Sequence, residues 1–211
     1  MSERLQNERR RIGLVGAGPW AQLFTGPMLQ AADADFVGVW ARRAEAAQTV
    51  AAAHDTRAFD DLDALFDACE AVCFSVPPDV QADLAGRAAA RGLAVLLDKP
   101  IGATVDQAER LVGAIDDAGV PSMVILTSRY FDVTRRFLAD AASFEAYGGR
   151  ASFFGNGCVP GTFFGTPWRV DSGGLLDLGP HVLDALDAAL GTIVDISARG
   201  NAHGLVLLEC E

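Results

Sequence analysis

The sequence predicts an α/β protein: a doubly wound parallel sheet, followed by a shorter α+β part. Three observations lead there. Short apolar runs alternate with helical patterns as far as Thr127. The first of those runs empties into GAGPWA, a glycine-rich turn that leads into a helical pattern. Beyond Thr127 the alternation stops, and helices are followed by a loop rich in glycine, proline and aromatics.

Composition narrows the classes. The chain has 211 residues, half of them apolar, enough for one large domain or two small ones. A net charge of −11 excludes a nucleic-acid surface, so an anionic ligand needs a local cluster of donors. The longest apolar runs, such as Leu93–Leu97 and Val124–Leu126, are far too short to cross a bilayer. The start, MSERLQNERRR, is charged and lacks the apolar segment of a secretion signal, which predicts a cytoplasmic protein. Cys69, Cys73, Cys158 and Cys210 form no CxxC pair and the three histidines are scattered, so no metal site is expected. Cys69 and Cys73 read as small core residues.

In chain order, strands are expected at Ile12–Val15, Phe36–Trp40, Ala71–Val76, Ala94–Leu97 and Met123–Thr127. Helices are expected between them at Ala44–His54, Asp61–Ala68, Val80–Arg91 and Val105–Ala118. The last opens with the capping-box pattern Thr104-Val105-Asp106-Gln107 and is stopped by Gly119 and Pro121. The second part then reads as a helix at Tyr130–Ala142, a strand at Arg150–Asn156 and a loop at Gly157–Gly174. It continues as a helix at Leu175–Leu190 and strands at Val194–Ala198 and Gly204–Glu209. The domains are drawn at 1–127, dinucleotide-binding, and 128–211, a substrate and oligomerisation domain.

Gly16-Ala17-Gly18-Pro19-Trp20-Ala21 fits G-x-G-x-x-A between a strand and a helix, the setting in which that motif holds a pyrophosphate. Gly16 allows the turn, Gly18 lets the phosphate come close, and Ala21 lets the helix pack on the sheet. Pro19 suits a first helical turn, where its missing N–H costs nothing. Free N–H groups and the helix dipole there attract anions, so Gly16, Gly18, Pro19 and Trp20 are the candidate cofactor turn. The bland alternative is a structural turn.

The second strand selects the dinucleotide. It ends Val39-Trp40-Ala41-Arg42-Arg43, with Ala41 in place of the acid that would bind a ribose 2′-hydroxyl. Arg42 and Arg43 suit a 2′-phosphate, which favours NADP over NAD. The alternative is a solvated helix start.

Ala94–Leu97 ends in Asp98-Lys99-Pro100. Ligands of open α/β sheets sit at the carboxyl ends of strands. An ammonium there can donate to a substrate oxygen and stabilise alkoxide character during hydride transfer, with Asp98 orienting it. An ordinary strand-end lysine is the alternative.

GAGPWA, SVPPDV (75–80), DKP and GGLLDLGPH (173–181) together resemble the Gfo/Idh/MocA oxidoreductases, from about Arg11 onward. The resemblance implies a Rossmann domain joined to an α+β domain with an open sheet. It implies that Lys99 is catalytic, with a cis bond before Pro100, and that Ser75 and Pro77 lie in the cofactor site. The family's D-x-G-x-H pattern beside the nicotinamide matches Asp177 and His181. The chain departs from the family at Asp98, which replaces a glutamate, at Gln81, which replaces a histidine, and at Ala41. It stops at Glu211 where family members continue through further strands. That predicts either a fragment or a short form whose sheet is completed by a partner subunit.

Asp177 and His181 are four apart, so one helix would place them on one face. Pro180 leaves a second arrangement, in which it begins a helix and Asp177 sits in the preceding turn. A histidine there can exchange a hydroxyl proton near neutral pH beside an orienting carboxylate. Arg129, Tyr130, Trp168 and Arg169 are candidates for a substrate wall, through stacking and hydrogen bonding. Asp184 and Asp187 read as outward-facing or capping residues.

The expected function is an NAD(P)-dependent oxidoreductase moving hydride between a nicotinamide and a hydroxyl or carbonyl carbon of a sugar, cyclitol or related small substrate. A homo-oligomer is expected through the second-domain sheet. The alternatives are an NADP-binding sensor or assembly protein without turnover, and a related fold that binds no nucleotide.

Overall fold

The structure, a computed structural model, describes residues 9–200 and 206–210. The expected leading charged segment therefore lies mostly outside the described residues, as does the start of the last expected strand. The chain divides between Ile125 and Leu126 into two compact units.

The first unit is a six-stranded parallel sheet. Its strands are β1 (Arg11–Val15), β2 (Asp35–Trp40), β3 (Arg57–Phe59), β4 (Ala71–Phe74), β5 (Ala94–Asp98) and β6 (Ser122–Ile125). They lie in the order β3-β2-β1-β4-β5-β6, all parallel. Parallel neighbours need crossovers, and helices supply them. These are α1, a π-helical turn at Ala21–Thr25 running into an α-helix at Gly26–Ala31, then α2 (Ala44–Ala53), α3 (Leu62–Ala68), α4 (Pro78–Ala90) and α5 (Val105–Ala118).

Both faces of the sheet are covered, as alternation along its strands requires. On one face, Val15, Val72, Phe74, Val95 and Leu97 pack with Leu65 and Phe66 of α3, the buried alanines of α4, and Leu111 and Ile115 of α5. On the other, Leu14, Val39 and Cys73 pack with Leu29 of α1 and Ala47, Val50 and Ala51 of α2. Cys69 and Cys73 are buried free thiols, as expected of core residues. Asp61 caps α3 through the Ala64 amide at 3.0 Å, and Thr104 caps α5 through the Gln107 amide at 3.3 Å. Gln107 reaches back to the Ala103 amide at 2.9 Å, one residue earlier than a standard capping box.

The strand β3 was not expected. It has three residues and an exposed arginine, too little pattern to register, yet it pairs with Gly38–Trp40 of β2.

The second unit begins with a 3₁₀ turn at Thr127–Tyr130. It continues as α6 (Asp132–Ala141), α7 (Pro167–Asp177) and α8 (Gly179–Leu190), and ends in an antiparallel pair, β7 (Ile196–Gly200) and β8 (Val206–Cys210). Helix α8 packs against α6, α7 and the 3₁₀ turn. Three expectations are corrected here. Arg150–Asn156 is not a strand: it is exposed, and among the described residues no strand lies beside it to supply ladder hydrogen bonds. The expected loop at Gly157–Gly174 already contains the start of α7, because Pro167 takes the first helical position after Thr166. The expected helix at Leu175–Leu190 is broken at Leu178, with Pro180 in the first turn of α8.

Candidate active site

Strand order reverses between β1 and β4, so a crevice opens outside their carboxyl ends. Gly16 leaves β1 there and Ser75 leaves β4. Gly16 has φ 118°, and a Cβ on it would strike the Ser75 carbonyl oxygen. Its amide donates to the Trp40 carbonyl at 2.8 Å, and the Ser75 amide donates to the Val15 carbonyl at 2.8 Å. These bonds hold the ends of β1, β2 and β4 together around the turn. Gly18 is the opposite case: a Cβ there would meet nothing within 4 Å. The absent side chain leaves open space in front of the backbone, the shape a phosphate needs for close approach.

The turn is locked from behind. Thr25 is buried in the π-helical segment, and its hydroxyl lies 2.7 Å from that of Ser75. The Gln22 side chain donates to the Ala17 carbonyl at 3.1 Å. Such π turns commonly occur at functional sites. Pro19 and Trp20 begin the helix, and the Trp20 ring stacks on Phe24 with centroids 4.1 Å apart. Ala41 follows β2 directly, and Arg42 and Arg43 are exposed at the carboxyl edge of the sheet. Pro77 is exposed just before α4. The structure thus brings Gly16, Gly18, Pro19, Trp20, Ala41, Arg42, Arg43, Ser75 and Pro77 to one edge of the first unit.

Lys99 follows β5 at the same edge and is buried. It is the only lysine in the chain, a signal in the sequence that composition totals hide. The Lys99–Pro100 bond is cis. Asp98 accepts the Lys99 amide through Oδ1 at 2.8 Å. Gln81, fully buried on α4, grips the same turn. Its Oε1 accepts the Asp98 amide at 2.8 Å, and its Nε2 donates to the Asp98 carbonyl at 2.8 Å and the Pro100 carbonyl at 3.3 Å. Sequence reasoning marked Gln81 only as a departure; its role shows once α4 is packed against β5.

In the second unit, Asp177 closes α7 and His181 lies in the first turn of α8, so they do not share one helix face. Both are buried. The Arg169 guanidinium donates to Asp177 Oδ1 at 3.1 Å, and the Cys158 thiol donates to Oδ2 at 3.8 Å. Gly157 admits this approach, since a Cβ on it would lie 2.9 Å from Oδ2. The His181 ring tilts against Phe153, with centroids 5.9 Å apart. Arg169, expected in a substrate wall, is instead buried in the Asp177 ion pair with its guanidinium over the Trp168 ring. Arg129 holds Asp184 with two nitrogens, at 2.9 and 2.6 Å, which corrects the outward-facing reading of Asp184. Tyr130 is exposed beside Arg129, and Trp168 is half-buried. Asp187 accepts the Ile193 amide at 3.2 Å at the end of α8.

No helix among the described residues is long and apolar enough to cross a membrane.

Residues 10–126 match the family described as an oxidoreductase family with an NAD-binding Rossmann fold, GFO_IDH_MocA. A curated relative, inositol 2-dehydrogenase of Rhizobium meliloti, is 30% identical over 122 residues, covering 57% of this chain and 37% of its own. Among solved structures, the dehydrogenase MviM of Clostridium difficile superposes with a TM-score of 0.74 at 20% identity, over 95% of this chain and 65% of that one. The WlbA dehydrogenase of Bordetella pertussis, solved with NADH and UDP-GlcNAcA, gives 0.71 at 23% identity, over 90% and 61%. UDP-N-acetylglucosamine 3-dehydrogenase of Acidithiobacillus ferrooxidans gives 0.71 at 24% identity, over 92% and 60%. The chain therefore spans less than two thirds of each of these relatives.

Proposed function

This chain belongs to the Gfo/Idh/MocA oxidoreductase family, and on that premise we propose that it is an NADP-dependent dehydrogenase of a sugar, cyclitol or related small alcohol. The observation that carries the reading is the turn after β1. A Cβ at Gly16 is forbidden and a Cβ at Gly18 has open space, so bare backbone faces the crevice at the strand-order reversal. That cradle fits a dinucleotide pyrophosphate.

When bound, NADP supplies the hydride acceptor. The chain's own residues do the rest. Gly16, Gly18 and the first turn of α1 hold the pyrophosphate, and Thr25 and Ser75 keep that turn in place. Arg42 and Arg43 pair with the 2′-phosphate, because Ala41 offers no carboxylate to repel it. Lys99 donates to the reacting oxygen and stabilises its developing charge. His181 takes the hydroxyl proton as the alcohol is oxidised and returns it in reduction. Asp177, charge-balanced by Arg169, steadies the histidine or binds a second hydroxyl. Tyr130 and Trp168 offer faces to an apolar side of the substrate, with Arg129 and Arg169 as their framework. Pairing of a second copy along the second-unit sheet completes the assembly in this reading.

The test is thermal unfolding with NADP, with NAD and with neither, followed by a panel of sugars and polyols. Ligand at one hundred times Kd adds about 2.7 kcal/mol of stability. A larger shift with NADP than with NAD, plus oxidation of a panel member, is expected. A shift without turnover points instead to a nucleotide-binding sensor or assembly protein, and no shift with either overturns the reading.

A further inference from the structure

We infer that Gln81 is a positioning residue for Lys99; the inference rests on the reading of Lys99 given above. A side-chain amide has the donor and acceptor of a peptide group. Gln81 uses both against one residue, accepting the Asp98 amide and donating to the Asp98 carbonyl, each at 2.8 Å. It therefore extends β5 where strand pairing runs out. The ladder to β4 ends at Leu96, and only β6 accompanies β5 as far as Asp98. The third bond, to the Pro100 carbonyl at 3.3 Å, brackets Lys99 from its other side. The backbone is thus held on both sides of the lysine by one fully buried side chain.

The assignment of the amide is forced by its partners. The Asp98 N–H can only donate, so it faces Oε1, and the two carbonyls can only accept, so they face Nε2. Helix α4 places Gln81 in its first turn, where the Gln81 amide donates to the Pro77 carbonyl at 2.8 Å. Pro77 leads from β4 into the crossover helix α4. The lysine turn is therefore tied to the chain leaving β4, the strand that neighbours β5 and borders the crevice. A shift of the Lys99 backbone would break three bonds to the fully buried Gln81 amide and leave that amide unsatisfied.

Since Lys99 is the only lysine, selective ¹³C,¹⁵N-lysine labelling of the full chain gives one side-chain NMR signal, which reports its environment without any ligand. The variants are Gln81→Leu, which removes both functions, and Gln81→Glu, whose protonated carboxyl restores one donor and one acceptor while its carboxylate cannot donate. Burial raises that carboxyl's pKa; the Asp98 carboxylate and the Lys99 ammonium are the charges adjoining the same turn.

In Gln81→Leu the Lys99 signal shifts, while NADPH affinity stays within about twofold. Turnover falls on the order of 10²-fold at unchanged KM, the cost of a misplacement of about 1 Å. In Gln81→Glu, signal and turnover relative to wild type at the same pH recover toward acid and are lost toward alkali. A Lys99 signal unchanged in Gln81→Leu overturns the inference. If that variant does not fold, a pH-independent ratio for Gln81→Glu overturns it instead. Absence of NADPH binding by the wild type sinks the proposed function, but leaves the ligand-free Lys99 signal to decide the role of Gln81.

Discussion

Arg169 and Asp177 form a buried ion pair eight residues apart, with Nε 3.1 Å from Oδ1. The kink at Gly173 in α7, φ 69°, lies between them. Removing one partner of a buried pair leaves an uncompensated charge, which costs about 3–5 kcal/mol. Arg169→Met is therefore expected to destabilise the chain by that order in urea unfolding followed by fluorescence. The double variant Arg169→Met/Asp177→Leu is expected to regain most of the loss, since it leaves no orphan charge. A single variant as stable as wild type would show that the pair contributes nothing.

Gly16 and Gly18 separate stability from binding. Gly16→Ala drives a Cβ into the Ser75 carbonyl at a φ that L residues rarely adopt, a strain of order 1–3 kcal/mol. Gly18→Ala meets no neighbour, so ligand-free stability is expected within about 0.5 kcal/mol of wild type. On the proposed reading its NADPH affinity nevertheless falls, because the new methyl would occupy the space left for a phosphate. Melting curves with and without NADPH read both effects.

Arg42 and Arg43 are exposed, and Arg43 makes no side-chain cap on α2, so the fold loses little without them. Hydrogen bonds to charged groups contribute about 1.5–3 kcal/mol. The double alanine variant is expected to weaken NADPH by roughly 10- to 100-fold and NADH much less, measured by fluorescence titration. Equal weakening of both would remove the 2′-phosphate argument.

Burial pushes the thiols of Cys69 and Cys73 up to about 12 from 9.0. In the unfolded chain they ionise earlier, so the unfolded state loses its protons first. The stability they contribute is complete below about pH 9 and is lost as pH rises toward about 12. Unfolding midpoints are expected to fall over that window, and Cys73→Val is expected to flatten the fall. In the native protein at neutral pH, both thiols are expected to resist alkylation.

The glycine turn after β1 was legible because everything it needs is close in sequence: a strand, two glycines at fixed spacing and a helix start. Lys99, the only lysine in the chain, was legible as a strand-end charge. Gln81 was not legible, since its partners lie 17 and 19 residues away and only the packing of α4 on β5 joins them. Asp184 was misread for the same reason: its partner Arg129 is 55 residues distant.

What the sequence determined alone is the alternation of strands and helices, the doubly wound sheet and the bare backbone after β1. Periodicity and glycine spacing are local, and a parallel sheet leaves few ways to connect such units. What the tertiary structure decided is where an apolar run finds a partner and which charge meets which. Arg150–Asn156 has strand composition but no neighbouring strand, so it stays irregular; Asp177 and Arg169 stand on opposite sides of a helix kink, yet burial leaves each the other's answering charge. Ladder hydrogen bonds and buried ion pairs draw their energy from a second group, and the identity of that group depends on how the chain returns on itself.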